Sequence, residues 1–384
     1  MADATINKER ALPVYMRGYT LGSQLLEEKI RVGEIETSYP FEERVQPSSY
    51  DVVLSGEGYV VDNDSRGAFR AEPDQKVSEV IESFEGEGIR RIDLSEPYDL
   101  KRGFTYLLRI DDRISLQENE FLKSSPKSSL GRLFLYTRLL ADYNLGFDEV
   151  HKGEEKLNLY LYVQPLMFNI VVEEGVSLNQ VRIVRGGGSK LSAYETMERH
   201  QDQTLFYEET SEGDIPAEMR AGDTVYLHLE LEGFGKSDVV GYRAKMNPEP
   251  IDLRKKNHYD AKEYFEPITS RNGRLKIRPQ EFYLFATKEV IAVPSDLGGE
   301  IQQHSVVGLN GPLHFAGFVD NGNYLNLVLE VRSDEVGAVQ LYDGMPIGKW
   351  SFYRCEGVEK LYGEEIGSHY YGKGLRLAKY FKEE

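Results

Sequence analysis

The chain has 384 residues, 40% of them apolar, and a formal charge of −18. That length holds two domains of ordinary size with packed cores. The acidity argues against binding duplex nucleic acid, whose affinity comes largely from neutralised phosphates. A single cysteine, Cys355, excludes an internal disulfide framework and a zinc site built on a Pro-Cys-x-x-Cys pair. Among seven histidines no His-Glu-x-x-His arrangement occurs. Residues 1–19 carry charges at Asp3, Lys8, Glu9, Arg10 and Arg17 and lack an apolar run of signal-peptide length, and nothing approaches a membrane span. A cytoplasmic protein with no membrane partner is expected.

In chain order, the first predicted element is a short helix. Leu25, Leu26, Lys29 and Ile30 fall at helical spacing after Ser23, a candidate N-cap, and predict a helix over residues 22–32. Strand signals dominate from there. Residues 50–54, 104–108, 157–163 and 168–172 are β-branched or aromatic and punctuated by Gly, Pro, Asp and Asn. The 25 tyrosines also favour β structure. Many short strands at close spacing predict an all-β sandwich or barrel with few helices. Arg185-Gly186-Gly187-Gly188-Ser189 reads as a flexible joint; it lacks the Gly-x4-Gly-Lys-Ser/Thr spacing of a P-loop. The run Thr224-Val225-Tyr226-Leu227-His228-Leu229-Glu230-Leu231 is a candidate opening of a second domain.

The chain also repeats itself. Phe104-Thr105-Tyr106-Leu107-Leu108 is similar to Phe282-Tyr283-Leu284-Phe285. Asn158-Leu159-Tyr160-Leu161-Tyr162-Val163 is similar to Asn326-Leu327-Val328-Leu329-Glu330-Val331, and Gly175 and Gly344 each precede a strand-like run. The last two blocks return at one spacing to within a residue, which predicts duplicated domains over 1–190 and 191–384.

Two features stand out as chemistry. Lys127-Ser128-Ser129-Leu130-Gly131-Arg132 gathers hydroxyls, backbone N–H groups and two cations on a turn, a pattern suited to an anion; it is equally the composition of a solvated loop. Glu330 is a carboxylate within an apolar strand. Buried, it is a candidate proton shuttle; with strict alternation it faces solvent instead.

A set of motifs carries a family resemblance. Pro126-Lys127-Ser128-Ser129-Leu130-Gly131-Arg132-Leu133 resembles the Arg/Lys-Ser-Ser-x-x-Arg-Leu motif of the dCTP deaminase and dUTPase superfamily. Gln46-Pro47-Ser48-Ser49-Tyr50-Asp51-Val52-Val53-Leu54 resembles its N-terminal segment. Ala316 to Asp320, followed by Val328-Leu329-Glu330, resembles the Ala-x-x-x-Asp strand and the Val-Leu-Glu that carries the catalytic glutamate. Asp343-Gly344-Met345-Pro346-Ile347-Gly348 resembles the Pro-Gly-Met-x-Ile-Gly turn. Leu361-Tyr362-Gly363 and Gly367-Ser368-His369-Tyr370 resemble the Tyr…Ala-Lys-Tyr tail that closes over nucleotide. The doubled length is similar to the long, two-domain bacterial dCTP deaminases.

The resemblance implies two tandem β-clip domains, the distorted dUTPase-like barrel, in a trimer. It implies hydrolytic deamination of dCTP to dUTP and ammonia without zinc, with magnesium accompanying the triphosphate and dTTP as a potential inhibitor. It assigns Glu330 as proton shuttle and Ser128 and Arg132 to water positioning and charge at C4. Lys127 and Ser129 would contact phosphates, and the strand at Ala141 would contact the cytosine edge. Ala316, Asp320, Tyr362, His369, Tyr370 and Lys373 would complete substrate binding.

Neither repeat carries the whole set. Tyr162 stands at the glutamate position of the first, and Gln302-Gln303-His304-Ser305-Val306-Val307-Gly308-Leu309 replaces the Ser-Ser-x-x-Arg turn in the second. His369 stands where the family has lysine, and Lys373 where it has glutamine. Three readings follow: Glu330 completes the site of Ser128 and Arg132 across an interface, Glu154 or Glu155 substitutes, or the chain binds nucleotide without turnover. A dUTP diphosphatase or bifunctional enzyme is the alternative reaction, with Asp142 or Asp320 aiming water at the α-phosphate.

Overall fold

Short β-branched and aromatic runs fold into 26 strands, with five helices, among the described residues. The structure is a computed structural model. It describes residues 18–62, 74–84, 88–151, 155–219, 222, 224–235, 237–247, 249–304, 317–332, 337–363, 366 and 369–382. The all-β expectation holds. The first helix spans Ser23–Arg31, but its N-cap is Gly22 rather than Ser23. The Ser23 hydroxyl is committed elsewhere: it accepts the backbone N–H groups of Glu359 and Lys360 at 3.0 and 3.3 Å. A local capping rule yields there to a tertiary contact with the end of the chain.

Each half of the chain builds a six-stranded sheet around one long antiparallel pair. In the first half Thr105–Ile114 pairs with Leu157–Pro165, setting Tyr162 opposite Leu107. In the second Phe282–Ala292 pairs with Tyr324–Arg332, setting Glu330 opposite Leu284. Tyr162 and Glu330 thus occupy matching places in matching strand pairs.

The halves are joined by strands, not only by a linker. A nine-stranded sheet runs through both, because Tyr19–Leu21 pairs antiparallel with Asn179–Arg185 on one side and parallel with Pro346–Glu356 on the other. In a small second seam Ile170–Val172 runs parallel to Ile251–Asp252. The larger hydrophobic cluster crosses as well: Phe134 of the first half packs on Phe282 of the second, ring centroids 4.7 Å apart. The glycine-rich joint is tied down. Gly186 N–H donates to Asn119, Gly18 N–H to Gly188, and Arg354 N–H to Ser189. A side chain at Gly18 would meet the Gly188 nitrogen at 2.6 Å, so that close approach requires glycine.

Candidate active site

The serine-arginine turn follows directly from local structure. Strand Glu120–Pro126 ends at a proline, Lys127 is extended, and Ser128–Gly131 form one helical turn. The turn closes with Phe134 at φ 55°, a left-handed conformation that a bulky residue holds only when packing over-determines it. Phe134 is fully buried, and its carbonyl accepts the Leu166 N–H at 3.1 Å. That reversal sends the chain into strand Leu135–Ala141 and leaves Ser128, Ser129 and Arg132 facing a cavity of about 800 Å³.

Glu330 lines the same cavity. Strand Tyr324–Arg332 is buried along seven of its nine residues, so alternation does not turn Glu330 to water; it is 2% exposed. Val328, two positions earlier on the same face, lines the cavity with it. The structure therefore brings the first half's turn and the second half's carboxylate to one place within one chain.

Buried polar contacts fix the walls. Asp320 accepts from Ser48 Oγ at 3.1 Å, Ser49 Oγ at 3.2 Å and Arg182 Nη2 at 3.2 Å. Arg182, 3% exposed, also donates to the carbonyls of Gly299 and Val319, both at 2.9 Å, and its guanidinium lies 4.3 Å from the Phe318 ring centroid. The Pro47-Ser48-Ser49 motif thus grips the opposite half of the chain. Lys127 is ion-paired with Asp51, and both line the cavity.

The C-terminal tail forms the remaining wall. Tyr370 shares a 2.6 Å hydrogen bond with Ser129 Oγ, and the Arg132 guanidinium stacks 4.1 Å from its ring centroid. Arg132 Nε donates to the Arg376 carbonyl at 2.9 Å and Nη1 to that of Ser128 at 2.9 Å. Tyr362 and His369 line the cavity, and burial pushes the Tyr362 phenol well up.

Some expected site residues lie elsewhere. Ala141 is fully buried in a core strand opposite Leu159 and does not line the cavity. Phe318, Val319 and Asp320 of the second half line the cavity instead. Lys373 points away, 3.0 Å from Asp214 and 3.3 Å from Glu209, which raise its pKa. Asp142 is spent on structure, accepting from the Val77 N–H and the Asn158 side chain. Glu155 is exposed and lies outside the cavity, and Ala316 and Glu154 fall outside the described residues.

Sequence reasoning missed Asp51, Lys256, Lys379 and Tyr380, all cavity-lining. Ala378-Lys379-Tyr380 spells the tail motif literally, eight residues beyond the segment matched to it. Burial, reinforced by the charges of Lys127 and Lys256, pulls the Lys379 ammonium down to about 8.

Comparison with known proteins identifies both halves of the chain. The model for the 2′-deoxycytidine 5′-triphosphate deaminase N-terminal domain matches residues 18–187, and that for its C-terminal domain matches residues 192–381. The chain belongs to the dCTP deaminase family. A dUMP-forming dCTP deaminase of Parafrankia sp. (strain EAN1pec) is 31% identical over 172 residues, 42% of this chain and 85% of that protein. One from Salinispora tropica is 30% identical over 183 residues, 42% of this chain and 89% of that protein. The crystal structure of 2′-deoxycytidine 5′-triphosphate deaminase from Agrobacterium tumefaciens superposes with a TM-score of 0.81 at 28% identity, covering 91% of this chain and 99% of that one. The family members from Parafrankia and Salinispora match less than half of this chain, whereas the Agrobacterium structure matches nearly all of it. The fold is the dUTPase-like β-clip in the long, two-domain form of the family.

Proposed function

We propose that the chain hydrolyses the exocyclic C4–N bond of dCTP, releasing ammonia, at one cavity built from both halves. The carrying observation is that Ser128, Arg132 and Glu330 line that cavity together. In this reading Glu330 takes a proton from water as the oxygen bonds to C4, and passes it to N3. It then takes the proton of the new hydroxyl and delivers it to the amine, so that ammonia leaves and the C4 carbonyl forms. Ser128 and Arg132 orient the water and offset charge developing at C4. The base lies against the Phe318–Val319 strand, with Asp320 and Tyr362 at the sugar. Lys127 and Ser129 hold phosphates, and magnesium arrives with the triphosphate. The mechanism assigns no role to Tyr162, whose hydroxyl accepts from Gln164 Nε2 at 2.9 Å outside the cavity.

A second reading adds cleavage of the product to dUMP and pyrophosphate. It is favoured by the names of the Parafrankia and Salinispora proteins and by the carboxylates of Asp320 and Asp51 in the cavity. One assay separates the two. The purified chain, given dCTP with magnesium, yields ammonia with dUTP in the first reading, and ammonia with dUMP and pyrophosphate in the second. No ammonia contradicts both.

A further inference from the structure

Three lysines from distant parts of the chain line the cavity: Lys127 before the serine turn, Lys256 on the loop after strand Ile251–Asp252, and Lys379 in the tail. The loop is a built element. Asp252 accepts the Arg254 N–H at 3.1 Å and its guanidinium at 2.8 and 2.7 Å, and the Asp252 N–H donates to the Tyr259 hydroxyl at 2.7 Å. Asn257 turns at φ 50°, the left-handed region that asparagine tolerates.

That turn docks on the tail. The N–H of Asn257 donates to the Lys379 carbonyl at 2.9 Å, those of His258 and Tyr259 donate to the Tyr380 carbonyl at 2.8 and 3.0 Å, and that of Lys382 donates back to the Tyr259 carbonyl at 2.9 Å. Loop and tail are therefore one braced unit, and the bracing carries Lys256 and Lys379 to the cavity together. Lys127 already has Asp51 as counter-ion. Like charges held together by backbone bonds are relieved by a polyanion entering among them. Burial is the main cause of the lowered Lys379 pKa, and the charges of Lys127 and Lys256 add to it.

We propose that Lys256 is a polyphosphate-binding residue, placed by the braced loop to hold the end of the substrate's phosphate chain. This deepens the proposed function and rests on it for the identity of the substrate. The loop belongs to the second half, so recognition of phosphate, like the chemistry, draws on both halves.

The test uses the full chain and inorganic tripolyphosphate, titrated calorimetrically. Wild type binds it; Lys256→Met weakens binding about tenfold and Lys256→Arg restores most of it. With dCTP, Lys256→Met raises KM about tenfold and leaves kcat within about twofold, the pattern of lost uniform binding. The melting temperature stays unchanged, since Lys256 is exposed. Equal tripolyphosphate affinity in wild type and Lys256→Met, or no binding to wild type, overturns the proposal. Binding that depends on Lys256 without ammonia from dCTP supports this assignment and removes the deaminase reading instead.

Discussion

Strands Leu157–Pro165 and Tyr324–Arg332 are counterparts that do different work. Each pairs antiparallel with a long neighbour, and each presents its sixth or seventh residue, Tyr162 or Glu330, opposite a buried leucine. Tyr162 is half-buried, hydrogen-bonded to Gln164 and edge-on to Phe147 at 6.0 Å. Glu330 is buried and faces a polar cavity whose other wall is the serine-arginine turn. A duplicated fold offers two equivalent places for a carboxylate. Only the place that faces an intact Ser-Ser-x-x-Arg turn retains one. A glutamate at position 162 would lie outside the described cavity, and most of the stretch that replaces the turn in the second half, 305–309, falls outside the described residues.

The largest effect that breaks this comparison is at Glu330. Glu330→Gln keeps the shape and removes the proton shuttle, and is expected to lower kcat for ammonia release about a thousandfold. Unchanged turnover rules Glu330 out as the base. Arg132→Lys keeps a cation but loses the planar fork that reaches the Arg376 and Ser128 carbonyls. Steady-state assays are expected to show about a hundredfold loss in kcat/KM. pH sharpens the picture at the phosphate end. Lys379, pulled from the ordinary 10.5 to about 8, is charged below that pH and neutral above it in the free protein. Phosphate binding needs the charged form, so KM for dCTP is expected to be flat below about pH 8 and to rise above it. Lys379→Arg removes the rise; a rise that persists in the arginine variant assigns it to another group. The smallest effect is at Tyr162, where Tyr162→Phe is expected to leave kcat/KM within about twofold, in contrast to Glu330.

Much of the fold was legible because strand chemistry is local. The runs at 157–163 and 326–331 announced both central strands, and their shared spacing announced the repeat. Ser23 was not legible as anything but a cap, since its partners lie more than 330 residues away in the chain. Within the site, Ser128, Arg132 and Glu330 were legible from residue type and motif. Their meeting stayed one of three readings, because it depends on Tyr19–Leu21 and Ile170–Val172 stitching the halves side by side. Ala141 belongs to the same half as Ser128, but the strand that lines the cavity with Ser128, Phe318–Val319, comes from the other half. Asp51 was hidden in a run that read as an ordinary strand, although its partner Lys127 lies in the same half; the reason for the charge of Arg182 is visible only across the interface, at Asp320.

The central claim is that Arg132 and Glu330 of one chain serve one site. Co-expressing Arg132→Ala and Glu330→Gln chains under separate tags, and assaying the mixed preparation purified through both tags for ammonia release from dCTP, tests it directly. A site within each chain leaves every cavity defective, and activity stays at the level of the single variants. Recovery of a substantial fraction of wild-type activity means that the two residues meet between chains, and contradicts the account.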